Sequence, residues 1–241
     1  MRYIIITGAN RGLGEALVNY FKSDHVIGIT RTTTDNEHIN KQYTCELSNE
    51  VSVQNVIESL NRDYSFKEED EVILINNAGT VKPVKRAENA CVEGYLNSYM
   101  VNVLAPIILT NGLINSLKDV NCSKKVVNIS SGAAINPVSG WSAYCSAKAG
   151  LNMFTEVVKL EQESVENGVK VVTFRPGVID TDMQVEIRNS NEKEFEDVER
   201  FKGLKDNNQL LSADVVASAL GKLIVSKDFG EETHTSVQDY L

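Results

Sequence analysis

Apolar and polar positions along this chain keep switching between two periods. Short apolar, β-branched runs such as Arg2-Tyr3-Ile4-Ile5-Ile6-Thr7 show no polar alternation, which predicts strands buried on both faces. Such runs lie at 2–7, 25–30, 42–46, 71–75, 124–129, 169–174 and 235–239. Between them apolar positions recur at helical spacing, as in Leu13, Ala16, Leu17, Tyr20 and Phe21. Two of these helices are long, Val92–Leu117 and Ala143 to about Glu166. Strand alternating with helix predicts an α/β fold. The expectation is one doubly wound parallel sheet of about seven strands, with helices on both faces and residues 1–241 in a single domain. The least regular stretch is 180–208, where Arg188-Asn189-Ser190-Asn191-Glu192 leads into mixed charge. A solvated surface segment would read this way. The preferred expectation is a lid over a site, with Met183, Gln184 and Ile187 turned inward.

The first strand runs into Thr7-Gly8-Ala9-Asn10-Arg11-Gly12-Leu13-Gly14, and a helix opens there. A glycine-rich strand-to-helix turn presents backbone N–H groups and the positive helix end to a pyrophosphate. Gly8 allows the sharp turn, and Gly12 and Gly14 let a ligand come close because neither has a Cβ. The spacing G-x-x-x-G-x-G differs from the better-known G-x-G-x-x-G, but its place after the first strand of an α/β pattern points to a dinucleotide in a Rossmann-type sheet. The second strand, His25 to Thr30, ends without the carboxylate that would hold an NAD ribose. Arg31 follows it and Arg11 sits in the turn, so two guanidiniums suit the 2′-phosphate of NADP. NADPH/NADP+ is therefore the expected cofactor; the plainer alternative is two solvated arginines.

Of the eight tyrosines, only Tyr144 has a lysine four residues on, Lys148. Residues at that spacing are neighbours on a helix. An ammonium beside a phenol favours the phenolate and predicts a lowered Tyr144 pKa, which suits a general acid that protonates a nascent alkoxide. Ser131 lies thirteen residues before Tyr144, where a strand ends, and its hydroxyl can polarise a substrate carbonyl; Ser130 is its rival, and the spacing favours Ser131.

Composition narrows the picture further. The net charge of −9 argues against nucleic acid or an anionic membrane as partner. Cys45, Cys91, Cys122 and Cys145 lack metal or redox spacing, so reduced cytoplasmic thiols are expected. His25, His38 and His234 are scattered, and no metal site is expected. No segment is expected to reach a membrane-spanning length, and the opening strand leaves no room for a leader.

Together these residues resemble the short-chain dehydrogenase/reductase family over nearly the whole chain. The likeness rests on the turn Thr7 to Gly14, on Asn76-Asn77-Ala78-Gly79, on Asn102 in a long helix and on Ser131/Tyr144/Lys148. Pro176-Gly177 followed by Asp180-Thr181 completes it. The resemblance implies that Tyr144 is the acid/base, that Ser131 orients the carbonyl and that Lys148 holds the nicotinamide ribose. It implies that Asn102 holds a relay water and that Thr181 meets the carboxamide. Gly8, Asn10, Arg11, Gly12, Leu13, Gly14, Arg31, Asn77, Ala78, Gly79, Pro176, Gly177 and Val178 would line the cofactor, with Glu46 and Leu47 at its adenine. Glu46 stands where the family usually has aspartate, and the chain end lacks the Asp-Gly-Gly of acyl-carrier-protein reductases.

Residues 140–149 and 180–184 are similar to those of sepiapterin reductases and bacterial benzil reductases, which implies reduction of a vicinal dicarbonyl compound. Trp141 would wall the site, with Met183 and Gln184 above it. Asp239 resembles in position the carboxylate that anchors a pterin; a structural aspartate at a strand end is the cautious alternative. The partner expected is a small-molecule carbonyl substrate. Rival readings are a 3-oxoacyl thioester reductase, which would want a basic docking surface this acidic chain lacks, and a non-catalytic dinucleotide sensor, which would not need both Tyr144 and Lys148. The family's habit of pairing its two long helices implies a homodimer.

Overall fold

The computed structural model describes residues 1–241. Seven strands form one sheet: β1 (Arg2–Thr7), β2 (His25–Thr30), β3 (Lys41–Thr44), β4 (Glu71–Asn76), β5 (Ser123–Ile129), β6 (Lys170–Arg175) and β7 (His234–Ser236). Their order is β3-β2-β1-β4-β5-β6-β7 and every pairing is parallel. The winding reverses between β1 and β4, and ligands of such sheets bind beyond the strand ends at that switch point.

Period-two alternation sorts each strand between two cores. Ile4 and Ile6 face α1 (Gly12–Tyr20) and α8 (Ala213–Val225) in one apolar cluster. Ile5 faces α2 (Glu50–Asp63), α4 (Ala105–Leu117) and α5 (Ser142–Glu163) in another. A buried polar ladder crosses the second layer. Asn76 donates to Asn128 at 2.8 Å, and Asn128 donates to Thr155 at 2.9 Å, which ties β4 and β5 to α5.

Two strands are shorter than expected. β3 ends at Thr44 rather than residue 46, and β7 ends at Ser236 rather than residue 239. Beyond β7 the Asp239 carboxylate accepts from the Ser236 N–H and hydroxyl, closing a 3₁₀ turn over Val237–Tyr240 in place of further ladder. The long helix over 92–117 is also divided. α3 (Val92–Tyr99) and α4 are joined by a π turn at Met100–Leu104. Pro106 cannot donate to the Asn102 carbonyl, and in a regular helix its ring would strike that carbonyl.

This span is long and apolar enough to cross a membrane, with mean hydropathy 1.5, contrary to the expectation that no segment would be. Here its apolar content has another use: Leu109, Leu113 and Leu117 fill the core against the sheet. The 180–208 stretch is more ordered than its charge pattern suggests. It holds α6 (Asp182–Arg188) and α7 (Val198–Asp206), and Ile187, Phe195, Val198 and Phe201 join Trp141 and Tyr144 in a third cluster.

Candidate active site

The glycine turn is built from close backbone approach. A Cβ on Gly14 would lie 2.0 Å from the Gly8 carbonyl oxygen, so no other residue fits there without rebuilding the turn. Gly8 and Gly12 have φ of +69° and +54°, where side chains are strained. Thr7 Oγ1 accepts from the Asn77 and Ala78 N–H groups, and the Asn77 amide donates back to the Thr7 carbonyl at 2.9 Å. These bonds lock the ends of β1 and β4 side by side. Asn76, by contrast, points into the core ladder. Leu13 is buried under the turn, and Asn10 reaches Thr32.

Arg11 in the glycine turn and Arg31 just after β2 are both exposed, and Arg11 faces Asp182 of α6 at 3.2 Å. Glu46 is exposed, with its carboxylate accepting from the Ser48 N–H and hydroxyl, while Leu47 packs on the core. Thr181 heads α6, its methyl 3.2 Å from where a Cβ on Gly12 would stand. Pro176-Gly177-Val178 leads into that helix, and Val178 is held by the Leu211 N–H. A Cβ on Gly79 would sit 3.0 Å from Asn102 Oδ1 and 3.6 Å from Lys148 Nζ. The positive-φ glycines at the head of α1 fit a dinucleotide's pyrophosphate, and Gly79 packs closely against Asn102 and Lys148.

Tyr144 and Lys148 are buried on the first turns of α5, 7% and 4% exposed. Lys148 Nζ donates to the Ile129 carbonyl at 2.8 Å and lies 5.9 Å from the Tyr144 ring centre. Burial holds the ammonium down at about 8, below the ordinary lysine value. The expected lowering of the Tyr144 pKa is not found: burial raises it, and the hydroxyl of Ser131 rather than Lys148 draws it back. Lys148 is turned toward the end of β5, where it can meet a sugar hydroxyl. Ser131 is half-buried, and its Oγ accepts from the Ala133 N–H at 3.1 Å. Ser130, its rival, is buried and donates to Asn152 at 2.6 Å, away from the site. The Asn102 side chain is fully engaged at its oxygen, accepting from the Thr80 N–H, while its Nδ2 donates to the Thr80 carbonyl at 2.8 Å.

Trp141 stands edge-on to Tyr144 with ring centres 5.4 Å apart, and it stacks on Phe195 at 4.9 Å. Met183 is half-buried against the same cluster, and Gln184 is buried at 2% exposure. Asp239 is the expected substrate residue whose contacts lie elsewhere, in its own capping box. Sequence reasoning gave no site role to Phe195, Phe201 or Arg188. Phe195 and Phe201 are isolated apolar positions in a charged run, and nothing local marks them as partners of Trp141. The arrangement as a whole offers a buried phenol, a neighbouring hydroxyl and a desolvated ammonium under an aromatic roof. Those groups can deliver a proton to a carbonyl oxygen in a water-poor pocket.

The family pattern described as short chain dehydrogenase matches residues 2–192. The chain is 40% identical over 242 residues to a Bacillus cereus benzil reductase ((S)-benzoin forming), covering 95% of this chain and 96% of that protein. A sepiapterin reductase of Meriones unguiculatus is 30% identical over 197 residues, covering 80% of this chain and 73% of that one. Among solved structures, a Saccharomyces cerevisiae short chain dehydrogenase/reductase superposes with TM-score 0.83 at 25% identity, over 100% of both chains.

Proposed function

The chain belongs to the short-chain dehydrogenase family, and from that premise we propose that it is an NADPH-dependent carbonyl reductase acting on one ketone of a vicinal dicarbonyl compound. The observation that carries this reading is the buried Tyr144–Lys148 pair beside Ser131 under the Trp141 ring. The dinucleotide, when bound, supplies the hydride. Ser131 donates to the carbonyl oxygen, and Tyr144 gives that oxygen its proton as negative charge develops there. Lys148 holds a ribose hydroxyl, and the Ser131 hydroxyl favours the phenolate that Tyr144 leaves. Asn102 and Gly79 lie beside Lys148 on the route by which the proton is restored.

Gly8, Gly12, Gly14 and the α1 N-terminus would take the pyrophosphate, and the exposed Arg11 and Arg31 the 2′-phosphate. The segment 180–208 acts as the lid, placing Met183 and Gln184 over the substrate. A benzil-like diketone is favoured over a pterin because the Asp239 carboxylate is already engaged by Ser236. The protein pairs as a homodimer through the outer faces of α3, the π turn and α5, where Leu96, Leu104, Met153 and Leu160 are exposed.

NADPH oxidation in the presence of benzil tests the reading. Tyr144→Phe should keep NADPH binding and lose at least about a hundredfold in kcat, the range of a positioned acid. Near wild-type turnover in that variant would overturn the proton-donor assignment, and equal kcat/KM with NADH and NADPH would overturn the cofactor choice.

A further inference from the structure

Gln184 presents a buried N–H group with nothing to receive it. The residue is 2% exposed, and its Nε2 has no hydrogen-bond partner. The orientation of its amide is settled by chemistry: Arg188, which carries only donors, donates from NH1 to Gln184 Oε1 at 2.9 Å. The oxygen must face the guanidinium, so the NH2 must face away from it. A buried donor left unpaired is costly, and native interiors seldom keep one without a use.

The place of Gln184 in the fold supplies that use. At the start of α6, Thr181 closes against Gly12 of the glycine turn. Further along the helix, Ile187 packs with Trp141 and Tyr144. Gln184 lies between these two points on the buried side of the helix. It therefore sits between the cofactor turn and the ring that donates the proton. Trp141 Nε1, in the same wall, is also buried without an acceptor. This wall thus holds unpaired donors besides the Ser131 and Tyr144 hydroxyls, which already serve the reacting oxygen.

We infer that Gln184 Nε2 donates to the second oxygen of the substrate, the carbonyl next to the one reduced, and that Arg188 is a positioning residue that fixes the amide for this purpose. This deepens the dicarbonyl reading above and rests on it. A guanidinium bonded to Oε1 also polarises the amide and strengthens its N–H as a donor. The site then selects compounds with oxygen on two adjacent carbons, because a plain ketone leaves Nε2 unpaired.

Benzil and 1,2-diphenylethanone, which has a methylene where benzil has its second carbonyl, isolate the effect. The readout is the ratio of their kcat/KM values with NADPH, which cancels general damage to the site. Gln184→Met, close in shape and without the donor, should lower that ratio at least about tenfold, since a site built to hydrogen-bond an oxygen discriminates strongly for it. Arg188→Met should lower it too, mainly through KM for benzil, and Arg188→Lys, which keeps a donor to Oε1, should restore most of it. A ratio within about twofold of wild type in Gln184→Met would overturn the inference and leave the reductase reading standing. If Gln184→Met does not fold, an unchanged ratio in Arg188→Met overturns it instead. A wild-type protein that reduces neither compound would overturn both readings.

Discussion

Lys148 shows how burial sets the working range of a single group. With its charge desolvated and its only bond going to the Ile129 carbonyl, it titrates at about 8 instead of at the ordinary lysine value of 10.5. Between those values the unfolded chain binds the extra proton and the folded chain does not. Stability therefore rises with pH across the window, and the cost of the buried charge is felt in full below about pH 8. Function runs the opposite way, because the ammonium is a stronger donor to a ribose hydroxyl than the neutral amine is. The expected outcome is that kcat/KM for carbonyl reduction falls as pH rises through about 8. Lys148→Arg, charged throughout, should lack that limb at whatever activity it retains. A pH profile with the limb unchanged in Lys148→Arg would assign it to another group. The sequence placed Tyr144 and Lys148 side by side correctly, since helical spacing alone does that. It misjudged their coupling, because the pKa of Tyr144 depends on how deeply α5 is buried and on where Nζ finds its acceptor.

At the scale of elements, the π turn at Met100–Leu104 matters most. Such turns amount to an added residue in a helix and often mark functional positions. This one sets Asn102 facing Thr80, clamping the segment after β4 that carries Asn77 to Gly79. Asn102→Ala would leave both main-chain polar groups of Thr80 unpaired, at about 1–3 kcal/mol. In a chain of this size each kcal/mol lowers the melting temperature by about 2–4 °C. A thermal melt should show that fall together with reduced kcat, and an unshifted melting temperature would mean that solvent replaces the clamp. The apolar pattern over 92–117 was legible as a helix. Its interruption was not, although Pro106 four residues after Asn102 is the local sign of it.

At the scale of the molecule, apolar side chains remain uncovered on one side. Val92, Leu96, Leu104, Met153, Val157 and Leu160 are all more than 40% exposed along α3, the π turn and α5, elements that pack against one another. Monomers seldom leave a contiguous patch of this kind bare, and a self-complementary pairing about a two-fold axis would cover it. Sedimentation equilibrium at micromolar concentration should give twice the chain mass, and Leu96→Glu with Leu160→Glu should give the monomer. A monomeric wild type would remove the proposed interface. The segment 180–208 belongs to this scale too. Its charged surface allowed a solvated loop or helix, and Phe195 and Phe201 reach across to Trp141 and hold two short helices against it.

What the sequence determined alone is everything carried by short-range periodicity and fixed spacing. The parallel, doubly wound sheet followed from strands alternating with helices, the tight turn from three glycines at the first strand end, and the adjacency of Tyr144 and Lys148 from their spacing. These rest on local sterics and helical geometry, which neighbouring residues settle between themselves. Tertiary structure decided what depends on partners far along the chain. It broke the long helix at Asn102, stacked Trp141 on Phe195, engaged Asp239 with Ser236 and turned Gln184 inward with its oxygen on Arg188. Burial, the lost hydration of a charge and an unpaired N–H are properties of an environment, and that environment exists only once distant segments have closed around the residue.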